Sequence, residues 1–357
     1  MEKRIMKGNE AMAEGAIRGG CRFYAGYPIT PQSEILQWMS WRQKEVGGVF
    51  IQGASEIESV NMTFAARCLG SRAFTSTSGP GFSLYQEGIA YWVSAEIPCV
   101  VACVQRFGIG DGFISAGQDN YWQAVKCGGN GDYHLIVLAP NSVQESCDMA
   151  YEAFELAEKY RHPVCLLSDG TIGQMMEPIE WHDIPKRELP EKTWATDGHD
   201  NKVPHRTISA VFGDNYVCEE VLNKPLAAKY RLIAANEVRY EEKDTADAEV
   251  VLVAYGTMSR VSERACEILR EQGVRAGLFR PIVLWPYPEA RLHELAAQEQ
   301  TKCFLSVEMS DGQMIDDVRI SVAGQKPVSF VGRNGGVVPT PDEIVDAVKK
   351  ALAEVKA

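Results

Sequence analysis

Short apolar runs alternate with helix-length segments along two stretches of this chain, and that alternation constrains the fold more than any other feature. In the first stretch the pattern predicts a helix over 7–19 with Asn9 as its cap. Strand 21–25, helix 32–45, strand 48–52, helix 56–69 and strand 72–76 follow. Helix 82–94, strand 98–106, a glycine-rich segment to about residue 131, strand 134–139, helix 142–160 and strand 163–169 complete it. Alternation at these lengths implies crossover connections, and so a parallel sheet covered by helices on both faces. A second block starts at Ala248, with strands at 248–256, 274–280, 302–309 and 327–332 and helices between them. Its last helix begins near Thr340, where Thr340-Pro341-Asp342-Glu343 has the form of a capping box with proline at the first helical position. Residues 186–247 are polar and weakly periodic, which suits an inter-domain connection with a few short elements. The expected fold class is therefore α/β, with two parallel-sheet sandwich domains over 1–185 and 248–357.

Composition closes several routes. The 357 residues, 45% of them apolar, suffice for two domains with sizeable cores. No apolar run reaches the ~18 residues of a membrane span. The N-terminus, MEKRIMKGNEAMAEG, is charged throughout and does not resemble a secretory signal, so a cytoplasmic location is expected. A net charge of −12 without a basic cluster argues against nucleic acid. The ten cysteines form no C-x-x-C pair, and Cys99 and Cys103 sit in an apolar run. Reduced, mostly buried thiols are expected, with no zinc, iron–sulfur or other metal site on this chain. A glycine motif at 15–20 precedes the first clear strand and so lacks a dinucleotide-binding context. Phosphate-loop, nucleophile-elbow and H-E-x-x-H motifs are missing, and His134, His162, His182, His199, His205 and His293 are scattered, which disfavours a histidine-driven hydrolase.

Ligands of open α/β sheets sit at the carboxyl ends of the strands. Four loops there attract interest: Gly26–Pro31 (GYPITP), Gly53–Glu58 (GASEIE), Thr75–Gly81 (TSTSGPG) and the segment after Val104. Thr30 presents a hydroxyl between two prolines that fix the backbone, although a turn or cap threonine is the plain alternative. Glu56 stands at a helix start, where a carboxylate is favoured, although Glu56 or Glu58 could simply cap that helix. Ser78-Gly79-Pro80-Gly81 is a tight turn that lets a backbone approach a ligand, or just a turn. Arg106 ends an apolar strand and could clamp a carboxylate, or pair with Asp111 or Asp119. Singly each plain alternative prevails; four polar groups along one sheet edge shift the balance towards a site.

The strings GNEAMAEGAIRGGCRFYAGYPITPQSEI, SEIESVNM, TSTSGPGFSL, AEIPCVVACVQR and RAGLFRPIVLWPYP resemble the alpha subunits of 2-oxoacid:ferredoxin oxidoreductases over nearly the whole chain. GGNGDYHLIVLAP and GRNGGVVPTPDEI look most like the branched-chain, 2-oxoisovalerate branch. The resemblance implies a thiamine-enzyme pyrimidine-type domain over 1–185 and a transketolase C-terminal-like domain over 248–357. It also implies thiamine diphosphate shared with a beta subunit, because Ser168-Asp169-Gly170 here lacks the diphosphate-binding pattern of G-D-G followed by N-N. Mg2+ and [4Fe-4S] clusters are then expected on partner subunits, a beta, a gamma and a ferredoxin-like delta chain, with CoA as co-substrate. Glu56 matches the glutamate that hydrogen-bonds N1′ of the aminopyrimidine and favours its imino tautomer. Thr30 matches the threonine near the oxoacid carboxylate, Arg106 is the candidate charged partner, and Tyr27, Pro28, Ser78, Gly79, Pro80 and Gly81 complete the cofactor wall. An acidic ferredoxin would be repelled by a surface of this average charge and should dock mainly elsewhere.

One loop departs from the branched-chain pattern, which usually reads R-G-G-P-G. Here it is Arg106-Phe107-Gly108-Ile109-Gly110, followed by Asp111, Phe113 and Trp122. Hence the implied activity, CoA-dependent oxidative decarboxylation of a branched-chain 2-oxoacid with ferredoxin as acceptor, has competitors. An aromatic oxoacid, 2-oxoglutarate or pyruvate is one set; a non-oxidative thiamine-dependent decarboxylase or a regulatory paralogue is another.

Overall fold

A computed structural model describes the chain except residues 1–2, 182–187, 189–190, 199–205 and 357. His182, His199 and His205 and part of the expected 186–247 connection lie outside the described residues. In chain order the elements begin β1 (Lys3–Lys7), α1 (Gly8–Arg18), β2 (Phe23–Gly26), α2 (Ser33–Glu45), β3 (Val49–Gln52), α3 (Glu56–Cys68), β4 (Ala73–Thr77) and α4 (Gly79–Ser94). Next come β5 (Val100–Gln105), β6 (Ile136–Leu138), α5 (Val143–Tyr160), β7 (Val164–Asp169), α6 (Gly170–Gln174) and β8 (Met176–Glu180). A short α7 (Asn215–Val217) runs through a π turn into α8 (Lys224–Asn236), followed by β9 (Tyr240–Lys243), β10 (Val250–Val253), α9 (Gly256–Glu271), β11 (Ala276–Pro281) and β12 (Val283–Trp285). The chain closes with α10 (Glu289–Ala296), β13 (Cys303–Glu308), α11 (Ile315–Val322), β14 (Val328–Gly332) and α12 (Pro341–Lys356).

The alternation of short strands and helices yields two sheets. One has seven strands in the order β12-β6-β7-β5-β4-β2-β3, parallel except for β12; the other has five, β14-β13-β10-β11-β9, parallel except for β9. Both faces of the first sheet are buried. Val101, Cys103, Val137, Cys165 and Leu167 turn to one core, and Val100, Ala102, Val104, Ile136, Leu138 and Leu166 to the other, as a period of two requires. The first of these cores continues into the second sheet through Val251, Val253, Phe279 and Phe304. A separate two-stranded ribbon pairs β1 with β8. All ten cysteines are free, seven of them buried.

Two sequence expectations change, and one strand is added. Asn9 does not cap α1: Lys7 takes that position, its backbone N–H bonded to Glu10, while Asn9 is buried and donates to the Pro31 carbonyl at 2.7 Å. The 186–247 stretch contains a 13-residue helix, α8, whose Leu226, Tyr230 and Ile233 recur at helical spacing. Leu226 and Ile233 are buried, and Tyr230 meets Trp285 edge-on at 5.4 Å. The expected strand 274–280 forms as β11 in the second sheet, and a strand the sequence did not single out, β12, crosses from its end to pair antiparallel with β6 of the first. The capping box at α12 forms as expected, with Glu343 N–H on Thr340 Oγ1 and Thr340 N–H on Glu343.

Candidate active site

Strands β3, β2, β4 and β5 are neighbours and parallel, so the four singled-out loops emerge side by side at one sheet edge. The loop after β2 carries Tyr27, Pro28 and Thr30, all solvent-exposed. Its backbone is held from outside. Arg106 Nη1 donates to the Thr30 carbonyl at 2.8 Å, Asn9 and Gln174 donate to the Pro31 carbonyl at 2.7 and 2.9 Å, and Gln32 donates to the Tyr27 carbonyl at 3.2 Å. Thr30 does not cap α2; Gln32 occupies that position. The Thr30 hydroxyl has no hydrogen-bond partner among the described residues.

The loop after β3 separates its two glutamates. Ser55 caps α3 by accepting from Glu58 N–H at 3.2 Å, and Glu58 reaches back to the Ala54 N–H. Capping is thus shared by Ser55 and Glu58, and Glu56 is left over. Glu56 is only 6% exposed, and among the described residues no group hydrogen-bonds its carboxylate. It lies against the turn after β4: a Cβ at Gly81 would stand 2.6 Å from Glu56 Oε1 and 2.1 Å from Thr77 Oγ1.

That turn and the end of β5 gather buried polar atoms without partners. Thr77 Oγ1, Ser78 Oγ, Arg106 Nε, Gln105 Nε2 and Asn120 Oδ1 are all inaccessible and unbonded. Leaving one such group unpaired costs about 1–3 kcal/mol, so a cluster of them marks a place whose bonds are completed by a bound molecule or by side chains that shift when one binds. Arg106 is 8% exposed; its Nη2 donates to the Asp111 carbonyl at 2.7 Å, and its side chain packs on Gly79. Of the two anticipated ion pairs only the one to Asp111 forms, and that at its outer limit. The Asp111 carboxylate stands 4.0 Å away and wholly exposed, and Asp119 accepts instead from Gly108 N–H at 2.8 Å. Burial, with the neighbouring Asp311 charge, pushes the Asp119 carboxyl up against that hydrogen bond.

A cavity of about 360 Å³ opens among Gly79, Pro80, Arg106, Ile109, Asn120 and Gln123. Gly108, Ile109 and Asp119 also border a larger one of about 850 Å³, which reaches Trp122, Asp311 and Asn334 at the carboxyl edge of the second sheet. Ile109 and Trp122 line it and are exposed, and Phe113, on the same loop, is exposed outside it. The two sheet edges are tied together by side chains that the sequence did not single out. Gln118 bonds the Met309 backbone both ways and donates to the Tyr255 carbonyl, while Asp169 accepts from the Thr257 N–H and hydroxyl at 2.8 and 2.6 Å. Burial raises the Asp169 carboxyl, against the hydrogen bonds from Thr257, Ile172 and Thr171 that favour its charge.

The structure therefore brings Glu56 to Gly81, Arg106 to Gly79 and to the Thr30 backbone, and leaves the Tyr27 and Pro28 side chains on the surface. Thr77 went unread because a lone threonine at a strand end has no pattern; its meaning depends on where Gly81 sits. Chemically, these loops offer a buried carboxylate at Gly81, able to hold or share a proton with a ring nitrogen, and at Gly79 a guanidinium whose Nε is unpaired.

Residues 14–242 match the family described as pyruvate flavodoxin/ferredoxin oxidoreductase, thiamine diphosphate-binding, and residues 248–344 match pyruvate:ferredoxin oxidoreductase core domain II. The ketoisovalerate oxidoreductase subunit VorB of Methanothermobacter marburgensis is 44% identical over 354 residues, covering 99% of each chain. The 2-oxoglutarate synthase subunit KorA of Methanocaldococcus jannaschii is 36% identical over 98% of this chain and 100% of its own. Among solved structures, the 2-oxoglutarate:ferredoxin oxidoreductase from Magnetococcus marinus with 2-oxoglutarate, coenzyme A and succinyl-CoA bound superposes with a TM-score of 0.86 at 27% identity. It covers 98% of this chain, which spans 65% of that one. A split-gene transketolase, 16% identical with a TM-score of 0.59, shares the fold.

Proposed function

Because this chain belongs to the 2-oxoacid:ferredoxin oxidoreductases, in the branch of the ketoisovalerate oxidoreductase subunits, we propose that it is the alpha subunit of a complex that oxidatively decarboxylates a branched-chain 2-oxoacid. The products are an acyl-CoA and CO2, and ferredoxin takes the electrons. In this reading residues 1–185 are the pyrimidine-binding domain and 248–357 the transketolase C-terminal-like domain, joined by 186–247. A beta subunit supplies Mg2+ and the diphosphate cradle, gamma and ferredoxin-like delta subunits complete the complex, and [4Fe-4S] clusters sit on these partners. The complex works in the cytoplasm; no described helix is long and apolar enough to cross a membrane.

The observation that carries the reading is Glu56: a buried carboxylate without a partner, facing a corner that only a glycine leaves open. These residues fit the aminopyrimidine end of thiamine diphosphate. When bound, that cofactor supplies the electron sink on which a 2-oxoacid loses CO2. Glu56 holds the proton shared with N1′, and Gly79, Pro80 and Gly81 shape the wall against which the ring rests, beside Ser78. Arg106 orients the oxoacid carboxylate, and Thr30 presents its hydroxyl from a loop already fixed, so little ordering is left for binding. The test is Glu56→Gln in the co-expressed complex: turnover is expected to fall at least about a hundred-fold, and near wild-type turnover would exclude the role. Turnover of a 2-oxoacid by this chain alone would exclude a divided site.

Exposed Ile109 and Trp122, which line the cavities, favour as a second reading a bulkier aromatic oxoacid. Rates of the complex on branched, aromatic and dicarboxylic oxoacids decide between them.

A further inference from the structure

We propose that Thr77 is a positioning residue for Glu56: its hydroxyl donates to the Glu56 carboxylate across Gly81 once a ring is seated in the recess. The inference rests on the reading of Glu56 given above, and it begins from a hydrogen bond left unmade. Thr77 ends β4 and is fully buried, and its Oγ1 is inaccessible and bonded to nothing. A hydroxyl so enclosed is beyond the reach of a ligand in the open cavity, so its partner has to come from the protein.

The threonine and serine just before it are already used. Thr75 donates to the Ala25 carbonyl at 2.6 Å and meets the Tyr85 hydroxyl at 2.7 Å, and Ser76 donates to Gln32 at 2.6 Å. For Thr77 the acceptor at hand is Glu56 Oε1. Both oxygens pack on one side of Gly81, 2.1 and 2.6 Å from where a Cβ would stand, and Glu56 Cγ is 2.9 Å from the same point. The carboxylate has no partner among the described residues, so it is free to settle between a ring nitrogen on one side and the Thr77 hydroxyl on the other. Such a bond stabilises the ionised carboxylate and fixes which oxygen faces the ring.

The substitutions are Thr77→Val, which keeps the shape and removes the donor, and Thr77→Ser, which keeps the donor. They are made in the co-expressed complex, with assembly checked by size-exclusion chromatography. Thiamine diphosphate affinity is measured by titration, and kcat is followed against pH. Thr77→Val is expected to weaken cofactor binding about ten-fold and to change the pH profile of kcat, because the Glu56 carboxylate has lost the donor that fixes it. Thr77→Ser restores both, and in a Glu56→Gln background Thr77→Val shifts no limb. A wild-type pH profile and affinity in an assembled Thr77→Val complex would overturn the proposal, and so would a Thr77→Ser complex that behaves like Thr77→Val. If Glu56→Gln abolishes turnover while Thr77→Val does nothing, only the role of Thr77 fails; if Glu56→Gln is itself active, the reading beneath it fails.

Discussion

Gly81→Ala separates a tightly built site from a roomy one, because two effects of opposite sign meet at that residue. Gly81 lies in the first turn of α4, and its φ is not among the positive ones, so alanine fits the backbone there. Helix propensity alone would then favour alanine by up to about 1 kcal/mol. Against this, the new methyl would meet Thr77 Oγ1 at 2.1 Å, Glu56 Oε1 at 2.6 Å and Glu56 Cγ at 2.9 Å. Neither neighbour yields cheaply: Thr77 is fixed at the end of a central strand, and Glu56 is buried at the first residue of α3. Overpacking of this kind costs about 1–3 kcal/mol. The net expectation is a loss of about 1–2 kcal/mol, with Glu56 turned out of the recess. In the co-expressed complex this lowers the melting temperature by a few degrees and reduces the further stabilisation that added thiamine diphosphate gives. Gly213, where an added methyl would have nothing within 4 Å, is the control; Gly213→Ala should change stability by less than about 0.5 kcal/mol. A Gly81→Ala complex that melts at or above wild type and keeps its cofactor affinity would refute the reasoning.

Two further outcomes follow from charges. Arg106→Lys keeps the charge but cannot span the Thr30 and Asp111 carbonyls, which Arg106 reaches at 2.8 and 2.7 Å; the oxoacid KM should rise about ten-fold, and further for Arg106→Gln. Burial would raise the Glu158 carboxyl, but the Arg72 hydrogen bond, the charges of Arg67 and Arg72 and a bond from Lys192 outweigh it and hold the group at about 2, against an ordinary 4.5. That depressed value contributes about 3 kcal/mol of stability, fully present above pH ~4.5 and lost as the pH falls towards 2. Glu158→Gln should therefore lower the urea midpoint at pH 7 and flatten its fall below pH 4.5, read from unfolding curves at stepped pH.

The parts of this architecture that were legible are those where local chemistry and global role coincide. Prolines and glycines at strand ends mark loops that have to be stiff or closely approached, and GYPITP and SGPG announce themselves in that way. Glu56 was legible as a candidate site carboxylate, with a helix cap as its plain alternative; the structure gives the cap to Ser55 and Glu58. Elements that depend on a partner far along the chain were not legible. The face of α8 consists of three residues in a polar segment, and β12 is only three residues long and owes its form to its pairing with β6. Asp169 has the form of a helix cap and does bond Thr171 N–H and Ile172 N–H; its bonds to Thr257 belong to the tertiary fold.

The stiffness of the GYPITP loop shows how such a site keeps its shape. Prolines fix φ and remove donors, but they leave the carbonyls, and a carbonyl without a partner near a buried site is a liability. Here the exposed acceptors are taken up one by one: Tyr27 by Gln32, Thr30 by Arg106, and Pro31 by both Asn9 and Gln174. Asn9 and Gln174 also hold Glu34, which Lys7 neutralises, so α1, α2 and α6 converge on one peptide. Three side chains from distant parts of the sequence, with Gln32 from the loop's own end, thus do what two prolines cannot do alone. It follows that Arg106 carries two duties at once, loop anchor and charge. Lysine keeps only the second, and a KM that rises in Arg106→Lys while the charge is unchanged measures the first.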